Sequence, residues 1–504
     1  MHRTFRETYQ NANGFWRLSE DYREVDNDND TAVHRLDRLT TMDRIKKWLQ
    51  PEPEYEPIEE RRAEDGDGTP TGQNQKEEFI WIEYCIFLLL GVSMLWAWNM
   101  FLAAGPYLQR RFKGNTWIYN NFQSVELVAS TVANLGGMLV LTKMQENASY
   151  PKRIVTSLVL NMVIFVLLAV STRFFLDVSV QAYFAFVVMT VFASSIATAL
   201  CQNGIFAYVS GFGSKQYTQG IMTGQGVAGV LPCIAQIVLV LSVPRHKSSA
   251  RRNDPSQGTP SPAPPGPPPT PGRAAFAYFL TATGISAITL VAFLYLLRRQ
   301  AQRPQATVTE ADTTEADELP SSPPAKSVAL ATLFRKTFWL ALAVFVTFAI
   351  TMVFPVYTQQ IVSVTPTTDA PRILWPSSFV PLAFLFWNAG DLIGRVVPAV
   401  PALRLTHRPR LVFLLSVLRV LFVPLYMLCN VHGQGAVVKS DSFYLIVVQL
   451  LFGLTNGYLG STCMMGAADW VLPEEREAAG GFMGLCLVLG LTVGSFLSFA
   501  VAGA

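Results

Sequence analysis

The stretch Phe386-Trp387-Asn388-Ala389-Gly390-Asp391-Leu392-Ile393-Gly394-Arg395 sets a carboxylate and a guanidinium inside an otherwise apolar run spanning 378–400. A run of that length matches the ~20 apolar residues a helix needs to cross a bilayer core of about 30 Å. Each charge costs roughly 2.5–3.5 kcal/mol near mid-membrane on insertion scales. At i and i+4, Asp391 and Arg395 share one helix face and partly neutralise each other. Asn388, three residues before Asp391, lies on that face too. One reading is a structural ion pair, or an arginine reaching for the interface. The reading favoured here is a polar stripe lining a solute cavity, because a hydroxylated solute needs both an acceptor and donors.

The same ruler laid along the chain finds spans near 80–104, 122–143, 154–172, 182–209, 218–243, 274–297, 337–361, 378–400, 411–429, 442–467 and 479–502. Composition agrees: half of the 504 residues are hydrophobic, only 15% are charged and 33 are Phe. A soluble chain of this size needs more charge to cover its surface. The expected fold is an all-α polytopic membrane protein of about 11 transmembrane helices. The 1–78 segment is polar, with acidic runs, and reads as a disordered cytosolic tail. Spans in 79–297 form an N-terminal six-helix bundle, interrupted by a proline-rich loop at 245–273. A polar cytosolic linker covers 298–336, and 337–504 forms a C-terminal five-helix bundle. A six-plus-five division around a hydrophilic middle is what a two-bundle transporter would show.

No charged leader with a short apolar core opens the sequence, so no cleaved signal peptide is expected and the first span serves as its own insertion signal. With the N-terminus cytosolic, inner loops carry about 17 Lys and Arg and outer loops about 11. The C-terminus is then lumenal or extracellular. Asn147-Ala148-Ser149 matches a glycosylation acceptor but falls on the cytosolic side in this topology. A net charge of +3 is too small to imply a nucleic-acid partner. All six cysteines lie in apolar runs without zinc-site spacing and read as small packing residues. The five histidines lie in the tail or loops, so no buried acid–base dyad is expected. A phosphate-binding Gly-x-x-x-x-Gly-Lys-Ser/Thr loop is absent, which argues against direct ATP drive. Neither an enzyme, a metal nor a cofactor is expected.

Further polar residues sit at membrane depth. Gln202, at the end of the fourth span, offers the amide donor and acceptor needed to read a nucleobase edge, or else serves as interhelical glue. Gly224, Gly226 and Gly229 in the fifth span match a dinucleotide fingerprint in letters only, because no strand precedes them. They read as sites of close helix approach. In the first span, Leu95-Trp96-Ala97-Trp98-Asn99 sets indoles away from the interface where aromatic belts sit, followed by Leu102. Packing is one reading; an aromatic wall against a flat base is the other.

Those segments together resemble the equilibrative nucleoside transporter family, and most of all its intracellular fungal branch. Gly91 through Trp98-Asn99 is similar to the family's first-span motif, with Ala97 in place of its proline. The stretch from Tyr217-Thr218 through Ile221-Met222-Thr223-Gly224-Gln225-Gly226-Val227-Ala228-Gly229 resembles its fifth-span signature. Asn388, Asp391, Gly394 and Arg395 match its Asn-x-x-Asp-x-x-Gly-Arg pattern. Thr455-Asn456-Gly457-Tyr458, the 473–477 segment and Ala479-Gly480 resemble its C-terminal motifs. The resemblance implies a major-facilitator-like fold working by alternating access around a central cavity. It implies that Asp391 and Arg395 contact ribose, that Gln202 bonds the base, and that Leu95 and Leu102 give apolar contacts, with Trp98 and Asn388 close by. Leu102 stands where relatives often have Met, a small change in pocket shape.

The implied function is movement of purine and pyrimidine nucleosides, and nucleobases as a further possibility, by a monomer embedded in the lipid bilayer. A vacuolar or other endomembrane address is favoured over the plasma membrane. A transporter of another polar organic solute and a non-transporting receptor or scaffold stay open as alternatives. An intact Asp391/Arg395/Gln202 set argues against the scaffold.

Overall fold

The computed structural model describes residues 80–145, 148–242, 271–302, 328–366 and 370–502. Expectations for the 1–78 tail, for the interior of the proline-rich loop and of the 298–336 linker, and for Asn147 fall outside these residues. Among the described residues, eleven helices are long and apolar enough to cross a membrane. In chain order they are α1 Trp81–Ala103, α2 Thr116–Lys143, α3 Tyr150–Phe174, α4 Val180–Gly211, α5 Lys215–Ser242 and α6 Pro271–Ala301. The second group is α7 Phe338–Gln360, α8 Pro376–Val396, α9 Pro409–Met427, α10 Phe443–Trp470 and α11 Arg476–Ala502.

Most boundaries fall within a few residues of the hydropathy reading, and the exceptions have local causes. The second helix starts at Thr116 rather than 122 because Asn115 accepts the Ile118 amide at 3.1 Å and caps the helix ahead of its apolar run. Pro271 opens α6 inside the expected loop, since its fixed φ suits a first helical turn. Arg298 and Arg299 carry α6 past 297 into the expected linker, their charges complementing the carbonyl end of the helix. The far end of that linker is a short helix, Leu330–Lys336. Five cysteines are buried as expected, but Cys85 is exposed on α1 and packs no core.

Helices α1 to α6 pack mainly on one another, through α1 with α5 and α6, and α3 with α4 and α6. In the second group α7 packs on α9, α10 and α11, and α8 on α10. The two groups meet where α5 lies on α8 and α10, and where α11 lies on α2 and α4. This is the six-plus-five, major-facilitator-like arrangement.

Glycines make the tightest of these crossings. A Cβ at Gly91 would overlap the carbonyl of Ile221, and one at Gly224 the carbonyl of Leu88, so α1 and α5 touch backbone to backbone. In the same way Gly390 and Gly394 of α8 lie against the carbonyls of Leu450 and Leu454 on α10, and Gly453 and Gly457 of α10 against those of Trp387 and Asp391 on α8. Small residues at i and i+4 are the membrane's device for close packing, since lipid supplies no hydrophobic drive between helices.

The buried apolar side chains fall into three clusters. One joins both groups, from Phe87 and Phe206 to Val344, Met464 and Met483. A second belongs to α1–α4 and α6, around Phe112, Phe165 and Phe279. The third belongs to α7–α10 with the far end of α5, around Phe354, Tyr426 and Phe452. The two groups are therefore fused across one end and, at the other, joined only along α5 and otherwise parted. Lys215 at the start of α5 pairs with Asp469 at the end of α10 across the fused end, at 2.8 Å.

Candidate solute site

Between the parted halves lies a cavity of about 660 Å³, within the range of small-molecule sites. Its lining reaches from Asn456 in the body of α10 to Ala103 at the end of α1 and Gln359 near the end of α7. Those two helix ends lie on the parted side. All seven expected residues line it: Leu95, Trp98 and Leu102 from α1, Gln202 from α4, and Asn388, Asp391 and Arg395 from α8.

The α8 pair is built as an ion pair at i, i+4, with Arg395 Nε 2.6 Å from Asp391 Oδ2. Both residues are buried, at 7% and 5% exposure. Such burial is tolerable only with further hydrogen bonds, and these come from two neighbouring helices, α10 and α5. Asn456 Nδ2 of α10 donates to Asp391 Oδ1 at 2.6 Å. On α5, Arg395 Nη1 donates to Gln225 Oε1 at 2.8 Å and to the Met222 carbonyl at 3.2 Å. The pair is thus both structural and cavity-lining, which merges the two readings of the opening stretch.

Asn388 shares the face but not the network. Its amide donates back to the Phe384 carbonyl at 2.9 Å and to Cys233 Sγ at 3.5 Å. Gly229 lies so close to the side-chain amide oxygen Oδ1 of Asn388 that a Cβ there would overlap it. Gly226 likewise faces Leu392 and Arg395. Gly226 and Gly229 therefore admit α8 to α5, as Gly224 admits α1. Trp98 is stacked on Phe101, with ring planes 18° apart and centroids 6.1 Å apart. Leu102 stands 56% exposed on the cavity lining. Neighbouring Asn99 ties α1 to α5 by donating to the Ala228 carbonyl at 2.8 Å.

Gln202 is 5% exposed and lines the cavity from α4. Its carbonyl oxygen is buried and accepts no hydrogen bond among the described residues. A buried amide oxygen without a donor costs free energy that a bound N–H would recover.

Sequence reasoning passed over Gln225 and Asn456 as site residues, although both stand in the motifs quoted above. It also missed Arg419 in α9, which is 1% exposed. The signal was available, because Arg419 is a lone cation inside an apolar span, as unusual there as Arg395.

A helical membrane carrier with a largely apolar cavity, carrying a few polar groups, between two bundles is the class that fold and site define. The sequence profile described as "Nucleoside transporter" matches residues 187–253 and 267–502, and the chain belongs to that family. Nucleoside transporter FUN26 of Saccharomyces cerevisiae is 30% identical over 457 residues, covering 83% of each chain. Equilibrative nucleoside transporter 2 of Mus musculus is 28% identical over 468 residues, covering 82% of this chain and 95% of its own. Among solved structures, a bacterial homologue of the iron transporter ferroportin in its outward-facing state aligns with a TM-score of 0.51. It shares 14% identity over 84% of this chain and 92% of that one, a likeness of fold alone.

Proposed function

We propose that the chain carries purine and pyrimidine nucleosides across a membrane by alternating access, without ATP hydrolysis, and that the cavity is the substrate site. The observation that carries this reading is the pairing of chemistries across one cavity. Asp391 and Arg395 offer an acceptor and donors to a sugar diol, and Gln202 offers a carbonyl without a donor to a base edge. Leu95 and Leu102 supply the apolar walls against the base, with Trp98 and Asn388 beside them.

In this reading the working units are a bundle over 79–297, a linker over 298–336 and a bundle over 337–504, acting as a monomer. The loop charges favour a cytosolic N-terminus. The fused end, with its Lys215–Asp469 pair, then faces the cytosol and the cavity opens to the lumen or exterior. The short connection between α1 and α2 favours a vacuolar or other endomembrane address, and colocalisation of a fluorescent fusion with organelle markers tests it.

Radiolabelled uridine and adenosine flux in proteoliposomes tests the function. Saturable uptake of both, without ATP, is expected. Uptake of neither, with binding of neither, would favour another solute or a scaffold. Imposing a pH gradient in the same assay separates facilitated diffusion from proton coupling.

A further inference from the structure

Arg419 sits in the tight turn Arg419–Leu421 that interrupts α9, among the largest fully buried side chains of the protein. It forms no ion pair among the described residues. Its Nη1 donates to the Thr347 carbonyl at 2.6 Å and to Thr351 Oγ1 at 3.1 Å, both on α7. The guanidinium lies over the Phe452 ring at 4.4 Å. A charge held inside a membrane at such cost ordinarily marks function, yet Arg419 does not line the cavity.

What it touches does: Thr351 is part of the lining and leads on through Asn456 to Asp391. Thr351 Oγ1 lies 2.7 Å from the Thr347 carbonyl and 2.7 Å from Asn456 Oδ1, with one proton to give. Left alone, a helical threonine bonds back to the carbonyl at i−4. Here Arg419 already donates to that carbonyl and to the hydroxyl oxygen itself, which frees the proton for Asn456. The Asn456 carbonyl is then held by Thr351, so its NH₂ must face Asp391, a carboxylate that only accepts. With Asn456 on Oδ1 and Arg395 on Oδ2, each Asp391 oxygen keeps one lone pair for the cavity.

We propose that Arg419 is a positioning residue for sugar recognition. Through Thr351 it fixes the orientation of the Asn456 amide, and through that amide it fixes the Asp391 carboxylate. The proposal rests on the reading of Asp391 as the ribose contact. Its distinctive mark is selectivity: loss of the relay should harm substrates with ribose hydroxyls and spare those without.

The test compares uridine with 2′,3′-dideoxyuridine in proteoliposomes, for wild type, Thr351→Val, Arg419→Met, Arg419→Lys and Asp391→Asn. Wild type should prefer uridine. Thr351→Val, which keeps side-chain volume, should raise the uridine KM about tenfold and leave dideoxyuridine nearly unchanged. Arg419→Met should do the same, and Arg419→Lys should regain part of the preference. If Arg419→Met does not fold, Thr351→Val carries the decision. Equal proportional losses for both solutes in Thr351→Val would overturn the proposal. If the preference disappears in Asp391→Asn yet survives in Thr351→Val, the relay fails and the sugar-contact reading stands. No preference in wild type, or a preference untouched in Asp391→Asn, brings down both.

Discussion

Arg395 Nη1 donates to Gln225 Oε1 at 2.8 Å, so the ion pair of α8 is bonded to α5 across the seam between the two helix groups. The residues that would meet the sugar are therefore also residues that join the halves. Any relative movement of α5 and α8 must stretch or remake this bond. Under the proposed sugar-contact role of Arg395, solute binding and access are coupled through one guanidinium.

Asp391→Asn should reduce uridine and adenosine flux more than tenfold while the protein still inserts and folds. The substitution keeps the shape but leaves Arg395 without its counter-charge, a change that costs roughly 3–5 kcal/mol for a buried pair. The bonds from Arg395 to Gln225 and Met222 remain to hold the helix in place. Near-normal flux in the purified variant would sink the sugar-binding assignment.

Gln202→Ala should weaken apparent affinity for purine and pyrimidine nucleosides about tenfold, since one lost base bond and one stranded polar group together amount to ~1.5–4.5 kcal/mol at most. Competition by free ribose should not change. Thermal melts with adenosine, uridine and ribose added separately check this. A variant that melts much lower, with adenosine stabilising it by the wild-type increment, would make Gln202 a structural clamp.

Gly457→Val should lower the melting temperature and the yield of folded protein. The new side chain would run into the Asp391 carbonyl, which is backbone and has no room to retreat. Overpacking of this sort costs about 1–3 kcal/mol or more. A variant that melts with the wild type would show that α8 and α10 are not held as close as described.

Exchanging the charges of Lys215 and Asp469 should restore what either single reversal removes. Lys215→Glu alone sets two carboxylates face to face at the fused end, and Asp469→Lys alone two ammonium groups. Each single variant should shift access toward opening of that end, read as increased labelling of a cysteine introduced there. The double variant should label like wild type. The pair is only partly buried, so a coupling of up to ~1 kcal/mol is expected, and additive single effects would show the pair to be idle.

Removing 256–268 should leave transport almost unchanged. The family match is interrupted over 254–266, inside the proline-rich stretch, and stopping at 268 spares Pro271, where α6 begins. Loss of flux at normal abundance would show that the loop gates or binds.

The long helices could be read from hydropathy because an apolar run of bilayer length has few other stable fates. Where they ended could not, since a cap such as Asn115 or a dipole-facing pair such as Arg298 and Arg299 extends a helix beyond its apolar core. At the site, Asp391 and Arg395 announced themselves as intramembrane charges, and their spacing disclosed the pair. Asn456 and Gln225 stayed hidden because a neutral amide in a membrane helix is common, and only the crossing of α8 with α5 and α10 gives these two their partners. Arg419 was visible as a charge, but what it serves depends on α7 standing between it and the cavity. Cys85 was misread for the opposite reason: an apolar neighbourhood in sequence does not say which side of the helix meets lipid.

The three apolar clusters bear on how evenly the carrier is poised. Turning the cavity to the opposite side requires the shared cluster around Met464 and Met483 to come apart, while the separate clusters around Phe165 and Phe354 come together. In a bilayer neither event is driven by expulsion of water, so the balance is van der Waals fit lost at one end against fit gained at the other. The poise of the empty carrier is then a small difference between two large packing terms, adjustable by single methyl groups. Trimming Met483 should favour the opposite access, and trimming Phe354 should oppose it. Turnover could thus be retuned from positions that never meet the solute.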